Sequence, residues 1–354
     1  VQAAAAAGYG VIALDAFADR DTAQSADLVC QVRYADGSFD MAELEAALGE
    51  AVLHGAGSFV YGSGFEAQPA LLGLVEQYLP LVGNSQRVVR NMKRAITFFA
   101  LLDVLNIPRP QVSLQQMDPG QLAGGGWLVK RNGGSGGTHV RRAGPETLLP
   151  PNHYFEQALQ GIPVSLLFAA NGMKVREIGF NQQWLAPTAM MPYRYGGAVS
   201  NAVVPHAVRR QLLIAAQKLT SAVGLRGINS LDAIMQGERV WVLELNPRLS
   251  ATLDLYPTQD GQLFELHMRA SAGGSLDGPL DTGLSKAHYI VYAPENISLP
   301  EDYAWPAWVA DIPADGALIT AGDPVCTVTA EAQGPEQAVQ LMAERVRMLV
   351  RDLI

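Results

Sequence analysis

The sequence predicts an α/β protein in which an N-terminal doubly wound unit is followed by two α+β lobes. Three observations carry that expectation. Helical and strand patterns alternate up to about residue 85, a strand runs into a glycine loop across 127–137, and hairpin signals replace the alternation after Pro163. Alternating strands and helices build parallel sheets, whereas hairpins build antiparallel ones.

Taken in order, Ala3–Gly8 reads as the end of a helix packed on a sheet, which places the strand expected before it outside this sequence. Val11–Leu14 is a buried strand ending at Asp15, Met41–His54 a helix, and Ser58–Tyr61 a strand leading into the tight loop Gly62-Ser63-Gly64. Pro69–Leu79 and Leu81–Gly83 repeat the helix and strand, closing a unit over 1–85. Val88–Leu105 reads as one amphipathic helix stopped by Pro108 and Pro110, since proline breaks the backbone ladder. It opens a small lobe that reaches residue 160: Trp127–Lys130 as a strand, Gly133–Gly137 as a loop, Thr138–Arg141 as a returning strand, and Asn152–Leu159 as a helix-to-strand passage.

The larger lobe, 161–354, begins with the hairpin Val164–Ala169 and Met173–Phe180 across Asn171-Gly172. A helix over Ala207–Val223 ends at Gly224, and Gly227–Met235 pairs with Arg239–Glu244. Ala287–Ala293, Ala317–Thr320 and Val325–Ala330 add strands before a closing helix from Pro335 to Leu353.

Composition limits what such a chain can do. With 354 residues, 49% hydrophobic and 17% charged, it has ample material for several cores and a cleft between them. A formal charge of -9 without a Lys/Arg cluster removes the electrostatic term that nucleic-acid binding needs. No apolar run is long enough to span a membrane, and Cys30 and Cys326 offer neither a disulfide framework nor a metal spacing. The expectation is a cytoplasmic protein acting on small molecules, with a homodimer as one assembly it could form.

Chemistry concentrates in two stretches. In Ser230-Leu-Asp232 and Glu244-Leu-Asn246-Pro-Arg248, strand alternation puts Glu244 and Asn246 on one face, with Asp232 on the partner strand. Two carboxylates and an amide oxygen suit a hard cation such as Mg2+, which commonly shares its shell with substrate phosphates. Singly, each residue reads as a solvated edge or a turn; the joint placement beside an apolar strand favours the metal reading. The second stretch, Lys130-Arg-Asn-Gly133-Gly134-Ser135-Gly136-Gly137, ends a buried strand with a cation and free backbone N–H groups, both suited to phosphate. Its order differs from the Walker loop, in which the lysine follows the glycines. The plain alternative is a flexible hairpin tip.

With these residues in place, the chain resembles the ATP-grasp superfamily, in which a pre-domain, a lid and a metal-bearing core occur in this order. The resemblance covers nearly the whole chain, through Gly62–Gly64, Lys93, Lys130 with its glycines, and the strand ending Glu-Leu-Asn-Pro-Arg. It implies an ATP-grasp fold with a pre-ATP-grasp domain and two lobes clamping ATP. Lys93 and Lys130 are then the phosphate lysines, and Gly133, Gly134, Ser135, Gly136 and Gly137 the lid loop. Asp232, Glu244 and Asn246 become ligands for Mg2+, two ions in the family arrangement, or for Mn2+ in its place. Arg248 and Lys130 are implied as catalytic groups on the transferred phosphate. Tyr154–Leu159 is similar to the segment lining the adenine, giving Glu156, Gln157 and Leu159 as contacts. The family usually has an acid where Gln157 stands, so Glu156, one position earlier, is the alternative.

The resemblance further implies a carboxylate–amine ligase that forms an amide through an acyl phosphate, releasing ADP. Within the superfamily the chain looks most like stand-alone amino-acid ligases of cofactor biosynthesis, such as the tyramine–glutamate ligase type, with glutamate as a substrate. Arg176, Arg194 and Tyr195 are the substrate candidates, because arginines and a tyrosine can clamp a carboxylate and stack a ring. A surface loop covering the core explains the last two equally well. A non-catalytic ATP-binding module is the competing class, but it has no need of a full metal set. A dinucleotide oxidoreductase lacks its glycine fingerprint. The tail 311–324 is similar to a biotinyl hairpin without the Met-Lys-Met tripeptide, so a structural strand pair is expected there. The histidines stand singly and read as surface or satisfied core residues.

Overall fold

A computed structural model describes residues 1–256, 261–280 and 283–353. Its centre is an eight-stranded antiparallel sheet. The strands run in the order Arg239–Asn246, Arg226–Gln236, Ile162–Asn171, Val175–Leu185, Tyr195–Val199, Ser285–Tyr292, Pro324–Ala332 and Val309–Ala310. A four-stranded sheet, ordered Val112–Ser113, His153–Gln157, Trp127–Arg131 and Arg141–Arg142, forms the small lobe. Among the described residues parallel pairing is confined to the N-terminal unit, where Ile12–Asp15 lies beside Leu28–Gln31 and Phe59–Val60 beside Leu81–Val82.

The helices pack as their apolar spacing dictates. His206–Val223 buries Val208, Leu212, Ala215, Ala216 and Leu219 on one stripe and ends at Gly224, whose φ of 72° admits the left-handed cap. That stripe packs on one face of the large sheet with Phe98, Phe99 and Leu102. The opposite face is covered by Leu253, Leu255, Tyr256 and the Gln262–Ser271 helix, and the terminal helix Pro335–Leu353 buries Ala338, Met342 and Leu349 in a third cluster. Fully burying one leucine contributes about 2 kcal/mol, so these faces fix the sheet as a rigid platform. Among the described residues no helix is long and apolar enough to cross a membrane.

Three expectations need correction. The helix expected over Val88–Leu105 is two helices, Gln86–Met92 and Ala95–Val104, broken at Lys93 and Arg94. No proline or glycine marks the break. It is made from elsewhere: Asn132 Oδ1 accepts from the Ala95 N–H at 2.7 Å, and the Gly133 N–H donates to the Lys93 carbonyl at 3.0 Å. The strand expected over Thr138–Arg141 is only Arg141–Arg142, because the preceding residues turn back over the site. Over Asn152–Leu159 no helix forms, and the segment is the plain strand His153–Gln157. The tail segment is a strand pair, as expected, with Leu318–Ile319 on Ile297–Ser298 and Val309–Ala310 on the sheet edge.

Candidate functional site

Asp232 and Glu244 are direct partners across adjacent antiparallel strands, and Ser230 and Asn246 form the next pair along. Opposed residues in such a pair share a face, so the strands alone bring the three oxygen-bearing side chains together. A bulge between Asp232 and Ala233 ends the regular register at this point. Asn246 Nδ2 donates to Asp232 Oδ2 at 2.9 Å, which turns its Oδ1 outward to accept from Lys93 Nζ at 2.6 Å. The same ammonium is hydrogen-bonded to Glu244 Oε1.

The helix break at Lys93 is what aims that ammonium. Lys93 is buried, its side chain 3% exposed against 30% for Glu244, and it sits where the two carboxylates need a positive charge. Burial, reinforced by the charge of Glu244, pushes the Asp232 carboxyl up to about 6 against the pull of Lys93 and Arg248. Burial presses Glu244 in the same direction, but Lys93 and then Lys130 outweigh it and hold its carboxyl below the usual range.

Two further cations stand nearby, each with its own acid. Lys130 Nζ lies 3.1 and 3.2 Å from the two Glu156 oxygens, a pair set by the register of Tyr154 opposite Lys130 and Glu156 opposite Leu128. Burial works against the Lys130 ammonium, yet Glu156 keeps it protonated. Arg248 Nε donates to Glu66 Oε1 at 2.5 Å, and Glu66 Oε2 accepts from the N–H groups of Gly64 and Phe65 at 2.8 and 3.1 Å. Burial would raise the Glu66 carboxyl, but Arg248 and Lys93 draw it down to about 2. Sequence reasoning stopped at the Gly62–Gly64 loop and missed Glu66. Its signal was an acid inside an otherwise apolar and glycine-rich turn.

The glycine loop lies over this cluster. Gly137, at φ 69°, has no room for a side chain, since a Cβ there would sit 1.9 Å from the Tyr193 carbonyl oxygen. The Tyr195 N–H donates to the Gly136 carbonyl at 2.9 Å, fixing the loop tip to the large sheet. His139 follows the loop and turns inward among Lys93, Lys130 and Glu244, lining a 30 Å³ cavity with Tyr154 and Phe99. Its Nδ1 is shielded from solvent without a hydrogen-bond partner, and burial drives the imidazole pKa down to about 4. The expectation of a surface or satisfied histidine does not hold at this position.

The remaining candidates divide. Glu156 faces the cluster, while Gln157 is half-buried and ties its N–H to the Gln111 carbonyl. Leu159 lies just past the strand end. Arg176 is not brought to the cluster: its guanidinium donates to the Leu276 and Gly278 carbonyls at 2.5 and 2.7 Å. Arg194 is likewise occupied, donating to Ala186 and Gly322 carbonyls and stacking 3.6 Å from the Tyr292 ring centroid. Tyr195 does approach. Its hydroxyl is 2.7 Å from His288 Nε2 and close enough to Asp232 to feel its charge.

Whether this donor set fits a divalent cation can be judged from its own contacts. Among the described residues no group of three or more His, Cys, Asp or Glu side chains forms a metal cage. Two carboxylates and an amide oxygen instead leave most of a shell to other ligands, which is how Mg2+ is usually held beside phosphates. The Lys93 ammonium already occupies a cation position between Glu244 and Asn246. The residues fit.

Comparison with known proteins follows the same lines. Residues 93–252 match the ATP-grasp domain family, a span that starts at Lys93 and closes just after Arg248. No curated protein matches the chain in sequence. Among solved structures, the biotin carboxylase domain dimer of Hydrogenobacter thermophilus 2-oxoglutarate carboxylase, in complex with MgADP, ADP and bicarbonate, is 13% identical with a TM-score of 0.74, over 99% of this chain and 86% of that one. The N5-carboxyaminoimidazole ribonucleotide synthetase of Thermus thermophilus is 17% identical with a TM-score of 0.68, over 98% and 94%. Rhizobium etli pyruvate carboxylase is 15% identical with a TM-score of 0.72. There 97% of this chain spans only 35% of that one.

Proposed function

We propose that the chain, whose residues 93–252 match the ATP-grasp domain family and whose fold is that of ATP-grasp proteins, is an ATP-dependent carboxylate–amine ligase. One observation carries this reading: Asp232, Glu244, Asn246 and the Lys93 ammonium converge at one end of the large sheet, directly beneath a glycine loop that follows Lys130. A binding module needs phosphate contacts. It does not need a metal donor set with an arginine, Arg248, held in place by a dedicated acid.

In the proposed reaction a carboxylate oxygen of the substrate attacks the γ-phosphorus of ATP, the bond to the β-bridging oxygen breaks, and ADP leaves. The acyl phosphate is then attacked by the amine nitrogen, releasing inorganic phosphate and a proton and leaving an amide. Asp232, Glu244 and Asn246 would hold Mg2+, two ions or one, or Mn2+; the metal supplies neutralisation of charge on the phosphate oxygens. Lys93 and Lys130 bind the polyphosphate, and Arg248, oriented by Glu66, meets the charge that builds on the transferred phosphoryl group. The loop 133–137 excludes water, which would otherwise consume the acyl phosphate. Glu156, Gln157 and Leu159 border the adenine. Of the substrate candidates, Tyr195 is the one the geometry supports.

The reading extends to a glutamate-type amino acid as one substrate and to a role in cofactor biosynthesis, on resemblance alone. It also takes the chain as three units, 1–85, 86–160 and 161–354. Separate apolar clusters around Leu44, Leu48 and Leu72, around Leu122 and Phe155, and across the large sheet are compatible with that division. The helices Gln86–Met92 and Ala95–Val104 share their core with the large sheet. ADP release across a panel of carboxylates and amines, starting with glutamate and aromatic amines, tests the proposal. Glu244→Gln should abolish stimulated release while the folded circular dichroism spectrum persists. Unchanged turnover in that variant would remove the metal assignment, and a native enzyme that no pair stimulates would remove the ligase.

A further inference from the structure

The space between Lys93, Lys130 and Glu244 is where the polyphosphate has to lie if the proposed function holds, and the following rests on that reading. The imidazole of His139 already stands there. The cavity it shares with Lys93, Lys130, Glu244 and Tyr154 measures 30 Å³, room for about two waters. A polyphosphate that touched both lysines inside this cavity would meet the ring.

Three features of the loop give the ring this position. The loop is pinned at its start, where the Gly133 N–H donates to the Lys93 carbonyl at 3.0 Å, and near its end, where the Gly136 carbonyl accepts from the Tyr195 N–H at 2.9 Å. Gly134 provides the third, because a Cβ on that residue would lie 2.2 Å from the His139 ring. The glycine at 134 is therefore what lets the imidazole fold back under its own loop. Yet the ring gains no polar partner at Nδ1, which is enclosed and unpaired. A buried polar atom left without a hydrogen bond is destabilising by about 1–3 kcal/mol. Displacing the ring therefore breaks no hydrogen bond at Nδ1.

We propose that His139 is a plug that discriminates among nucleotides: it fills the polyphosphate slot of the shut lid and is displaced only by a ligand with enough negative charge to take over Lys93 and Lys130. A nucleoside can use the adenine border at Glu156 and Gln157 without disturbing the ring. A di- or triphosphate has to evict it. Selection of ADP and ATP over adenosine then depends on a competition inside the slot as well as on phosphate contacts.

Isothermal titration of the full chain with MgADP and with adenosine tests this. If the slot is open in roughly one molecule in ten, emptying it tightens MgADP binding by about tenfold. His139→Ala should show that gain, with adenosine affinity unchanged. His139→Leu keeps a plug of similar size without ring nitrogens and should bind MgADP no more tightly than the native protein. Weaker MgADP binding in His139→Ala would make the ring a ligand and overturn the proposal, as would equal tightening by both variants. Equal shifts for MgADP and adenosine would point to general loosening of the lid and overturn it as well. A native protein that binds no MgADP would instead sink the reading of function, so the two failures are separable.

Discussion

Replacing Lys93 by Met tests the electrostatic core of the site. Methionine keeps most of the side-chain volume and removes the ammonium that bonds both Glu244 and Asn246, leaving Arg248 Nη2 3.5 Å from Asn246 Oδ1. Breaking a buried ion pair by deleting one partner typically destabilises by about 3–5 kcal/mol, because the other charge stays behind uncompensated. Lys93 is 3% exposed but Glu244 is 30% exposed, so water can reach the orphaned carboxylate and the lower end, about 3 kcal/mol, is the expected loss. The vacated position is then free for a divalent ion. In Lys93→Met, excess Mg2+ without nucleotide should restore stability, by about 2.7 kcal/mol at a hundredfold excess over its dissociation constant. The native protein, whose own ammonium occupies the position, should gain far less. Urea unfolding of both proteins with and without Mg2+ gives the four values required. Equal stability of the two metal-free proteins would refute the claim that Lys93 balances the carboxylates. Equal stabilisation of both by Mg2+ would refute the claim that metal and ammonium share donors.

Two further outcomes follow from other parts of the molecule. Gly137→Ala would place a Cβ 1.9 Å from the Tyr193 carbonyl oxygen at a backbone φ of 69°, so the loop has to lift; stimulated ADP release should fall by about tenfold or more while urea stability changes little, and a fully active variant would disprove seating of the loop on the large sheet. At Asp19, burial and then Asp311, Asp15 and Asp21 raise the carboxyl from 3.8 to about 7, so the folded state binds this proton more tightly than the unfolded chain does. The stability it contributes is whole below about pH 4 and is lost as the pH rises towards 7. Asp19→Asn should therefore gain on the order of 1 kcal/mol over the native protein at pH 8, discounted for solvent screening at a half-buried site, and nothing at pH 4. A gain at both pH values would mean that ionisation is not the cause.

Much of the large lobe was legible because its signals are local. Asn171-Gly172 fixes a hairpin, Gly224 stops a helix, and the two-residue period of 239–246 sets Glu244 and Asn246 on one face by alternation alone. What escaped was made by contacts between distant segments. The apolar period runs straight through Met92, Lys93 and Ala95, and the helix breaks there because Asn132 and Gly133 of the glycine loop take its backbone groups. Glu66 becomes a site residue only through Arg248, 182 positions away. Arg176 looked like a substrate clamp from its chemistry, whereas its guanidinium is committed to two carbonyls of the loop after the Gln262–Ser271 helix. Residue type limits what a side chain can do, and its partners decide what it does.

The pairing of charges suggests an order for loading the site. Lys93 is bound to Glu244, Lys130 to Glu156 and Arg248 to Glu66, so each cation expected to meet phosphate is first neutralised by an acid of the protein. A metal-free nucleotide would have to strip those cations and leave buried carboxylates unpaired, at several kcal/mol each. A bare metal ion would meet an ammonium already seated on its donors. On the proposed reading, arriving together they would exchange partners at the Lys93 pair: Asp232 and Glu244 would turn to the metal while Lys93 turns to phosphate, so neither Glu244 nor Lys93 is left without a counter-charge. The same exchange empties the space that His139 fills. If the proposed function holds, this pairing favours the metal–nucleotide complex over either component, through residues that already stand within hydrogen-bond distance of one another.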